Sequence, residues 1–150
     1  RPLSELQEQP GWQRELHALI QELRRDVPSA DPISEQPFDE WVEKALGSKS
    51  FFADGWVIAL RDGKMVGLTQ NWYALAENDL LLTGLTAVGR EHRGKKLSYA
   101  LKVAAMQAMK ARGYREVLTW NEANNHAMLV VNARLGFEKR PAWVDLIKEL

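Results

Sequence analysis

One stretch decides the fold: Val88-Gly89-Arg90-Glu91-His92-Arg93-Gly94-Lys95-Lys96-Leu97-Ser98. It joins a mostly apolar run, residues 80–88, to a run whose apolar residues recur at helical spacing up to residue 112. The first run is typical of a central strand covered on both faces, and Gly84 within it suggests a bulge or a close backbone approach. The second run predicts a helix that Gly113 ends. The stretch is therefore predicted to be a strand, a basic turn and a helix N-terminus.

The basic turn between this strand and this helix is suited to an anion. The first amides of a helix have no intrahelical partner and carry partial positive charge, so they attract phosphates. Arg93, Lys95 and Lys96 add formal charge at the same place. A phosphate or pyrophosphate is the expected ligand, and a solvated basic loop is the alternative. Other nucleotide sites fit less well, because the chain contains neither G-x-x-x-x-G-K-[ST] nor G-x-G-x-x-G.

The rest of the chain alternates between helical and strand patterns. An apolar stripe predicts a first helix from Trp12 to the stop at Pro28, with His17 on its solvated side. A short second helix is expected from residue 38 up to Gly47, followed by strands at 56–60 and 65–73 on either side of an Asp62-Gly63 hairpin turn. A strand at 116–120, a helix capped by Asn124 or Asn125 that ends at 135–136, and a final strand or hairpin from 137 complete the order. The fold class is α/β (α+β three-layer), a mixed central sheet with helices on both faces, in a single domain spanning 1–150.

Composition and charge exclude several kinds of function. The chain has 150 residues, with 20 Lys+Arg balanced by 20 Asp+Glu and no cysteine. The missing cysteines exclude disulfides, thiolate zinc sites and a cysteine nucleophile. A neutral chain is not expected to bind nucleic acid or a membrane surface, and no apolar run is long enough to span a membrane. Without an H-x-x-x-H pair no metal site is expected, and the cytoplasm is the expected compartment.

A polar residue interrupts the apolar stripe of the last helix. Met128, Val131 and Leu135 recur at helical spacing, and Asn132 falls on the same face. An amide buried without partners costs roughly 1–3 kcal/mol, so it needs hydrogen bonds. Asn132 is therefore expected either to satisfy neighbouring backbone groups or to face a ligand, and the spacing does not separate the two.

These segments resemble the GNAT superfamily of acyl-CoA-dependent N-acyltransferases. Its signature is a strand ending in Val, R-x-x-G-x-G/A at the start of a helix, and a later Asn, short helix and Gly-Phe. Residues 93–98 occupy the first position, and Asn125 with Leu135-Gly136-Phe137 occupies the second. More narrowly, several short motifs resemble the C-terminal half of tandem GNAT proteins: Leu85-Thr86-Ala87-Val88, Arg93-Gly94, Ala100-Leu101-Lys102, Thr119-Trp120-Asn121, Asn125-x-x-Met128 and Pro141-Ala142-Trp143.

The resemblance implies an N-acetyltransferase. It would move an acetyl group from acetyl-CoA, its co-substrate, to an amine of a small molecule or peptide, by direct attack in a ternary complex and without a metal. The alternative is a non-catalytic acyl-CoA-binding domain, one half of a tandem GNAT protein. The implied cofactor-binding residues are Thr86, Ala87, Val88, Arg93, Gly94, Lys95, Lys96, Leu97, Ser98, Asn125 and Asn132.

The sequence departs from the signature in ways that bear on catalysis. Lys96 replaces the first signature Gly and Ser98 the final Gly/Ala, and both are expected to fit a helical backbone. Asn132 occupies the position where many members carry a Tyr that protonates the departing thiolate, and an amide does not titrate. Asn132 is thus only a weak catalytic candidate. Four titratable residues are candidates for the base, without a choice among them: Glu77, Asp79, His92 and Glu122.

Two further expectations concern the start of the chain and the acceptor site. Residues 1–11 show no alternation and contain Pro2 and Pro10, so the first strand of the GNAT fold is expected to be missing. The chain would then come from a longer protein with a second GNAT-like domain upstream, and its open sheet edge would pair in a homodimer or be covered by its own N-terminal segment. Some aromatic residues could wall an acceptor pocket, although core packing is favoured for most of them: Trp41, Phe51, Phe52, Trp56 and Trp72.

Overall fold

A four-stranded sheet lies at the centre of the computed structural model, which describes residues 1–28, 34–75 and 79–141. Its strands are β1 (Trp56–Arg61), β2 (Lys64–Tyr73), β3 (Leu80–Val88) and β4 (Glu116–Thr119), in that spatial order. The first three form an antiparallel meander, and β4 pairs with β3 in parallel. The mixed sheet confirms the predicted fold class.

Local sequence explains the sheet's turn and its irregularity. Asp62 and Gly63 both have positive φ, 51° and 78°, as a type I′ hairpin requires. Further along, Thr69 pairs with Thr86 but Asn71 pairs with Thr83, so β3 contains one extra residue opposite Gln70. The bulge that Gly84 suggested is therefore present. A Cβ at Gly84 would lie 2.7 Å from Nε1 of Trp72, which also confirms the close approach.

Helices cover both faces of the sheet. The α1 helix (Trp12–Arg24) and α2 (Phe38–Trp41, continued by a π-helix at Val42–Leu46) pack over the main core. The α3 helix (Leu97–Ala111) packs against Val57 and Val88 on the opposite face, and α4 (His126–Arg134) follows β4. Short 3-10 turns occur at Leu3–Glu5, Ala53–Gly55 and Arg90–His92. Successive residues of β1 point to opposite faces of the sheet, so Ile58 packs in the main core and Val57 in the core beneath α3.

Three details of the helices differ from the sequence prediction. His17 is half-buried rather than solvated: its Nε2 lies 2.8 Å from the carbonyl of Gln36, and its ring packs edge-on against Phe38. On α3, helical spacing predicts that Ala104 is buried, but it is exposed, whereas Met109 and Lys102 are buried. His17 and Lys102 have partners from distant segments, Gln36 with Phe38 and Phe137 respectively, which helical spacing alone does not reveal.

Gly47 follows the second helix as predicted, but for a different reason. Its φ is −80°, so it does not use the left-handed conformation that favours glycine after a helix. A Cβ there would lie 2.4 Å from the carbonyl oxygen of Glu43. The wide π-turn brings that carbonyl against the backbone, and only glycine leaves room for it.

The first residues cover the free edge of β1 without forming a regular strand. Pro2 makes an isolated antiparallel bridge with Val57, and Ile58 donates its N–H to the carbonyl of Arg1 at 2.8 Å. The chain then turns into a 3-10 helix that buries Leu3 and Leu6 completely. Of the expected arrangements at this edge, the structure shows cover by the chain's own N-terminal segment.

Some predictions fall outside the described residues. They are Glu77 and Ala142-Trp143 of the last motif. The strand expected from Phe137 does not form within 137–141, where polar residues 138–140 are exposed and lack an apolar face to bury.

Candidate functional site

A cavity of about 830 Å³ opens beside the basic turn. One wall is formed by the end of β3, the turn and the start of α3, and the other by α1 and α4. We call it the loop cavity. It is lined by nearly all of the residues that the family resemblance implied: Thr86, Ala87, Val88, Arg93, Gly94, Lys96, Leu97, Ser98 and Asn125. Lys95 does not line it, since its exposed side chain reaches back to the carbonyl of Glu91.

The turn lines this cavity with two residues in the left-handed conformation. Gly94 has φ +76° and Lys96, the residue before α3, has φ +60°. Lys96, as the N-cap residue of α3, makes no side-chain capping hydrogen bond. The first amides of α3 thus remain available to an anion, and Lys96 adds charge. The expectation that Lys96 fits helical backbone is wrong, because the signature glycine position needs a conformation that glycine adopts without strain.

An ion-pair cluster borders the loop cavity. Asp26, just after α1, accepts hydrogen bonds from both Arg90 and Arg93, with 2.5 Å between its Oδ2 and the Arg93 guanidinium. These hydrogen bonds hold the pKa of the Asp26 carboxyl well below its usual range. Arg93 also donates from Nε to the carbonyl of Val88 at 2.9 Å. The signature arginine is therefore fixed to the end of β3, with its charge partly neutralised by Asp26.

The last residues of β3 expose backbone groups to the loop cavity. Pairing with β4 ends at Thr83, whereas pairing with β2 continues to Val88. Because Gly89 donates to the carbonyl of Val66 at 2.9 Å, the antiparallel alternation turns the N–H groups of Thr86 and Val88 away from β2. They lie on the edge where β4 has diverged, so no strand of the described sheet pairs with them there and they can donate to a bound molecule.

A second cavity, of about 440 Å³, lies at the β3 bulge. We call it the bulge cavity. It is lined by α1, α2, the bulge and the segment after β4, and it includes Trp41 and Trp72 among the predicted aromatic residues. Phe51 and Trp56 belong to the core, and Phe52 stacks on Tyr73 with 4.0 Å between ring centroids. The two cavities share five lining residues: Val27, Pro28, Thr86, Asn125 and Met128.

Asparagines organise the wall between the cavities. Asn125 caps α4 by accepting from the N–H of Met128 at 3.3 Å, as the sequence predicted. Asn132 is 6% exposed and donates from Nδ2 to Oδ1 of Asn121 at 2.6 Å, while its own Oδ1 has no partner among the described residues. Asn132 lines neither cavity, but Asn121 lines the bulge cavity. A contact of Asn132 with the cofactor stays a prediction.

None of the described base candidates lines the bulge cavity. His92 lines the loop cavity, Glu122 lines neither, and Asp79 lies at the start of β3, where its carbonyl accepts from Glu116. The ionisable side chains that do line the bulge cavity in the described part of the chain are Arg24 and Lys102. Burial lowers the pKa of the Lys102 ammonium to about 8. Sequence reasoning missed Lys102, since a lysine on a helix is usually solvated.

The described residues form neither a metal cluster nor a membrane span. Within 1–28, 34–75 and 79–141, no three His, Cys, Asp or Glu side chains group closely enough to hold a metal ion. Over the same residues, no helix combines the length and the apolar character that crossing a bilayer requires.

Comparison with known proteins identifies the fold. A scan against protein families matches residues 16–137 to the Acetyltransferase (GNAT) family. The chain belongs to the GNAT acetyltransferase family. This assignment confirms the resemblance and the expected enzyme class, an acetyl-CoA-dependent N-acyltransferase. The narrower likeness to the C-terminal half of tandem GNAT proteins stays a prediction. No curated protein sequence matches the chain.

Solved GNAT structures share this fold at low sequence identity. A diaminobutyrate acetyltransferase from Paenibacillus lautus, solved with its substrate and coenzyme A, is 23% identical with a TM-score of 0.63, over 82% of this chain and 69% of that one. The ribosomal-protein-S18-alanine N-acetyltransferase from Escherichia coli is 17% identical with a TM-score of 0.67, over 89% and 76%. An aminoglycoside acetyltransferase from an uncultured soil metagenomic sample, solved with sisomicin, is 18% identical with a TM-score of 0.66, over 92% and 91%.

Proposed function

We propose that this GNAT protein transfers an acetyl group from acetyl-CoA to an amine of a small molecule or peptide, by direct attack in a ternary complex. The observation that carries the proposal is the meeting of the two cavities at Thr86, Asn125 and Met128. A co-substrate in one cavity and an amine in the other would face each other there. The solved relatives act on diaminobutyrate, aminoglycosides and a ribosomal protein, so amine acceptors of several sizes are compatible with the fold.

The residues around the loop cavity fit the parts of acetyl-CoA. The free amides at the start of α3 and the charge of Lys96 suit its pyrophosphate. The N–H groups of Thr86 and Val88 suit the amides of its pantetheine arm and the oxygen of its thioester. Acetyl-CoA supplies an activated acyl group, and the wall at Thr86 orients it toward the amine.

Proton transfer at this site does not require a strong acid from the protein. The leaving thiol has an ordinary pKa near 8.5, so a thiolate can depart without a strong acid. This explains how Asn132 is tolerated where many members carry a titrating residue. Since no described carboxylate lines the bulge cavity, we infer that the amine proton leaves through water.

The second candidate function is a non-catalytic acyl-CoA-binding domain. Two observations favour it: Asn132 cannot donate a proton in catalysis, and Asp26 partly neutralises Arg93. In that case the active half would be a second GNAT-like domain upstream or a homodimer partner. These partners, a single domain over 1–150 and a cytoplasmic location all stay predictions.

Two measurements separate these functions. Calorimetry with CoA tests the loop cavity, and thiol release from acetyl-CoA with a panel of amines tests turnover. Binding accompanied by amine-dependent thiol release supports the transferase. Binding without release for any amine supports the binding domain, and the absence of CoA binding contradicts both.

A further inference from the structure

Lys102 lies on the buried face of α3 and has no anionic partner within residues 1–28, 34–75 and 79–141. The residue is 3% exposed and lines the bulge cavity. Among the described residues no carboxylate forms a salt bridge with it, and the aromatic ring of Phe137 lies 4.9 Å from its Nζ. Lys102 thus lines the cavity, and among the described residues its ammonium makes a cation–π contact with Phe137 in place of an ion pair.

Burial of an unpaired ammonium is unfavourable for the fold. Water solvates the charged form far better than a protein interior does, which is why burial lowers the pKa of Lys102 to about 8. An apolar side chain of the same length would fill this place without the loss of hydration. The lysine therefore contributes to something other than packing, and a bound anion would supply the missing counter-charge.

The charge of the bulge cavity also favours an anion. Its charged lining residues, as far as the structure describes them, are the cations Arg24 and Lys102. The other polar lining consists of amides and hydroxyls, among them Gln70, Asn121 and Thr119, which can hydrogen-bond a carboxylate or an amine. A polycationic amine would meet like charge on both sides, whereas an amine with a carboxylate would be attracted.

We propose that the bulge cavity takes an acceptor amine that carries a carboxylate, and that Lys102 binds this carboxylate while the amine faces the wall at Thr86. The proposal deepens the proposed acetyltransferase function and rests on it for the identity of the neighbouring co-substrate. It makes Lys102 the residue that decides which amines are accepted.

Calorimetry on the CoA-loaded protein tests this directly with matched pairs of amines. L-ornithine and putrescine differ by one carboxylate, as do L-lysine and cadaverine. We expect each amino acid to bind at least tenfold more tightly than its decarboxylated partner, and the trication spermidine to bind more weakly still. Lys102→Met should reduce this preference to less than threefold, since methionine keeps the length but removes the charge.

Two further variants isolate the charge of Lys102. Lys102→Arg retains the positive charge and should retain most of the preference, which also covers the case in which Lys102→Met folds poorly. Lys110→Met removes an exposed lysine from the last turn of the same helix and should leave the preference unchanged.

Binding and turnover test the role of Lys102 and the transferase function separately. Three results would each overturn the role of Lys102. Putrescine and cadaverine could bind as tightly as the amino acids, the amino acids could fail to bind, or Lys102→Met could keep the full preference. A preference in binding without any thiol release would support the anionic-amine site and contradict the transferase. Thiol release without a preference for amines that carry a carboxylate would support the transferase and contradict the anionic-amine site.

Discussion

The backbone at Lys96 adopts a left-handed conformation that a residue with a Cβ occupies at a cost of roughly 1–2 kcal/mol. Lys96→Gly should therefore raise the free energy of unfolding by about 1 kcal/mol after the greater chain entropy of glycine is deducted. For a chain of this size we expect the melting temperature to rise by roughly 2–4 °C. Thermal unfolding of the two proteins in the same buffer measures this.

Lys96→Ala separates conformation from charge. It removes the same positive charge but keeps the Cβ, so it should not stabilise the protein. An equal stabilisation by alanine would show instead that repulsion within the basic turn, and not φ, limits stability at this residue.

The buried ammonium of Lys102 should make stability depend on pH. Its pKa is about 8 in the fold against an ordinary 10.5, so between these values the unfolded chain binds more protons and the free energy of unfolding rises with pH. At 1.36 kcal/mol per pKa unit the full effect is roughly 3 kcal/mol. Lys102→Met should be more stable than the wild type at pH 7, and this advantage should shrink toward pH 10.

Urea unfolding at several pH values measures this effect. Lys110→Met, on the exposed side of the same helix, is the matched control and should show no such trend. A constant difference between Lys102→Met and the wild type from pH 7 to 10 would mean that the lysine is well hydrated in solution.

Among the elements, the turn before α3 has a conformation that can be tested through ligand binding. Gly94 has φ +76° and lines the loop cavity. A leucine there would strain the turn and displace the amides that face the anion. Gly94→Leu should weaken CoA binding at least tenfold, about 1.4 kcal/mol, in calorimetry.

Gly63→Leu provides the matched control, because Gly63 has nearly the same φ, +78°, in a hairpin that lines neither cavity. It should lower stability while CoA affinity stays within twofold of the wild type. Unchanged affinity in a folded Gly94→Leu protein would exclude the turn as the pyrophosphate site.

The α4 helix is linked to the bulge cavity by a hydrogen bond between two side-chain amides. Asn132 donates to Asn121, which lines that cavity. Asn132→Leu would release the Asn121 side chain, and we expect a several-fold rise in the acceptor KM or a loss of CoA affinity. Steady-state kinetics, calorimetry and a thermal melt on one sample distinguish this from a purely structural role, which would lower stability alone.

On the scale of the whole molecule, Asp26 connects the helical layer over one face of the sheet to the basic turn of α3. It pairs with Arg90 and Arg93 and lines the loop cavity. Its negative charge opposes an incoming phosphate. Since Val88 still anchors Arg93, Asp26→Asn should tighten CoA binding two- to tenfold at low ionic strength.

Salt provides the diagnostic for this effect, because exposed charges are screened beyond about 10 Å at 0.1 M. The gain should fall as salt is added. Glu35→Gln removes another exposed partner of an arginine, lines neither cavity and should leave CoA affinity unchanged. Weaker binding by Asp26→Asn would show that the carboxylate orients the arginines more than it repels phosphate.

Local chemistry determined which features of this molecule could be predicted from sequence. The Asp62-Gly63 turn, the cap at Asn125 and the strand–turn–helix at 88–98 depend on neighbouring residues, and the structure confirms them. The cation–π contact of Lys102 depends on Phe137, and the ion pairs of Asp26 depend on residues 90 and 93, all distant along the chain. Such contacts arise only when the layers assemble, so periodicity and turn signals cannot anticipate them.

The shared wall at Thr86, Asn125 and Met128 has a consequence for inhibitor design. A single molecule that joins CoA to an amino acid through a short linker could occupy both cavities at once. Its second half would then bind at an effective concentration set by the linker, which reaches the millimolar range for short flexible chains. The optimal linker would be the shortest one that spans this wall, because every further bond lowers the effective concentration of the second half at its cavity.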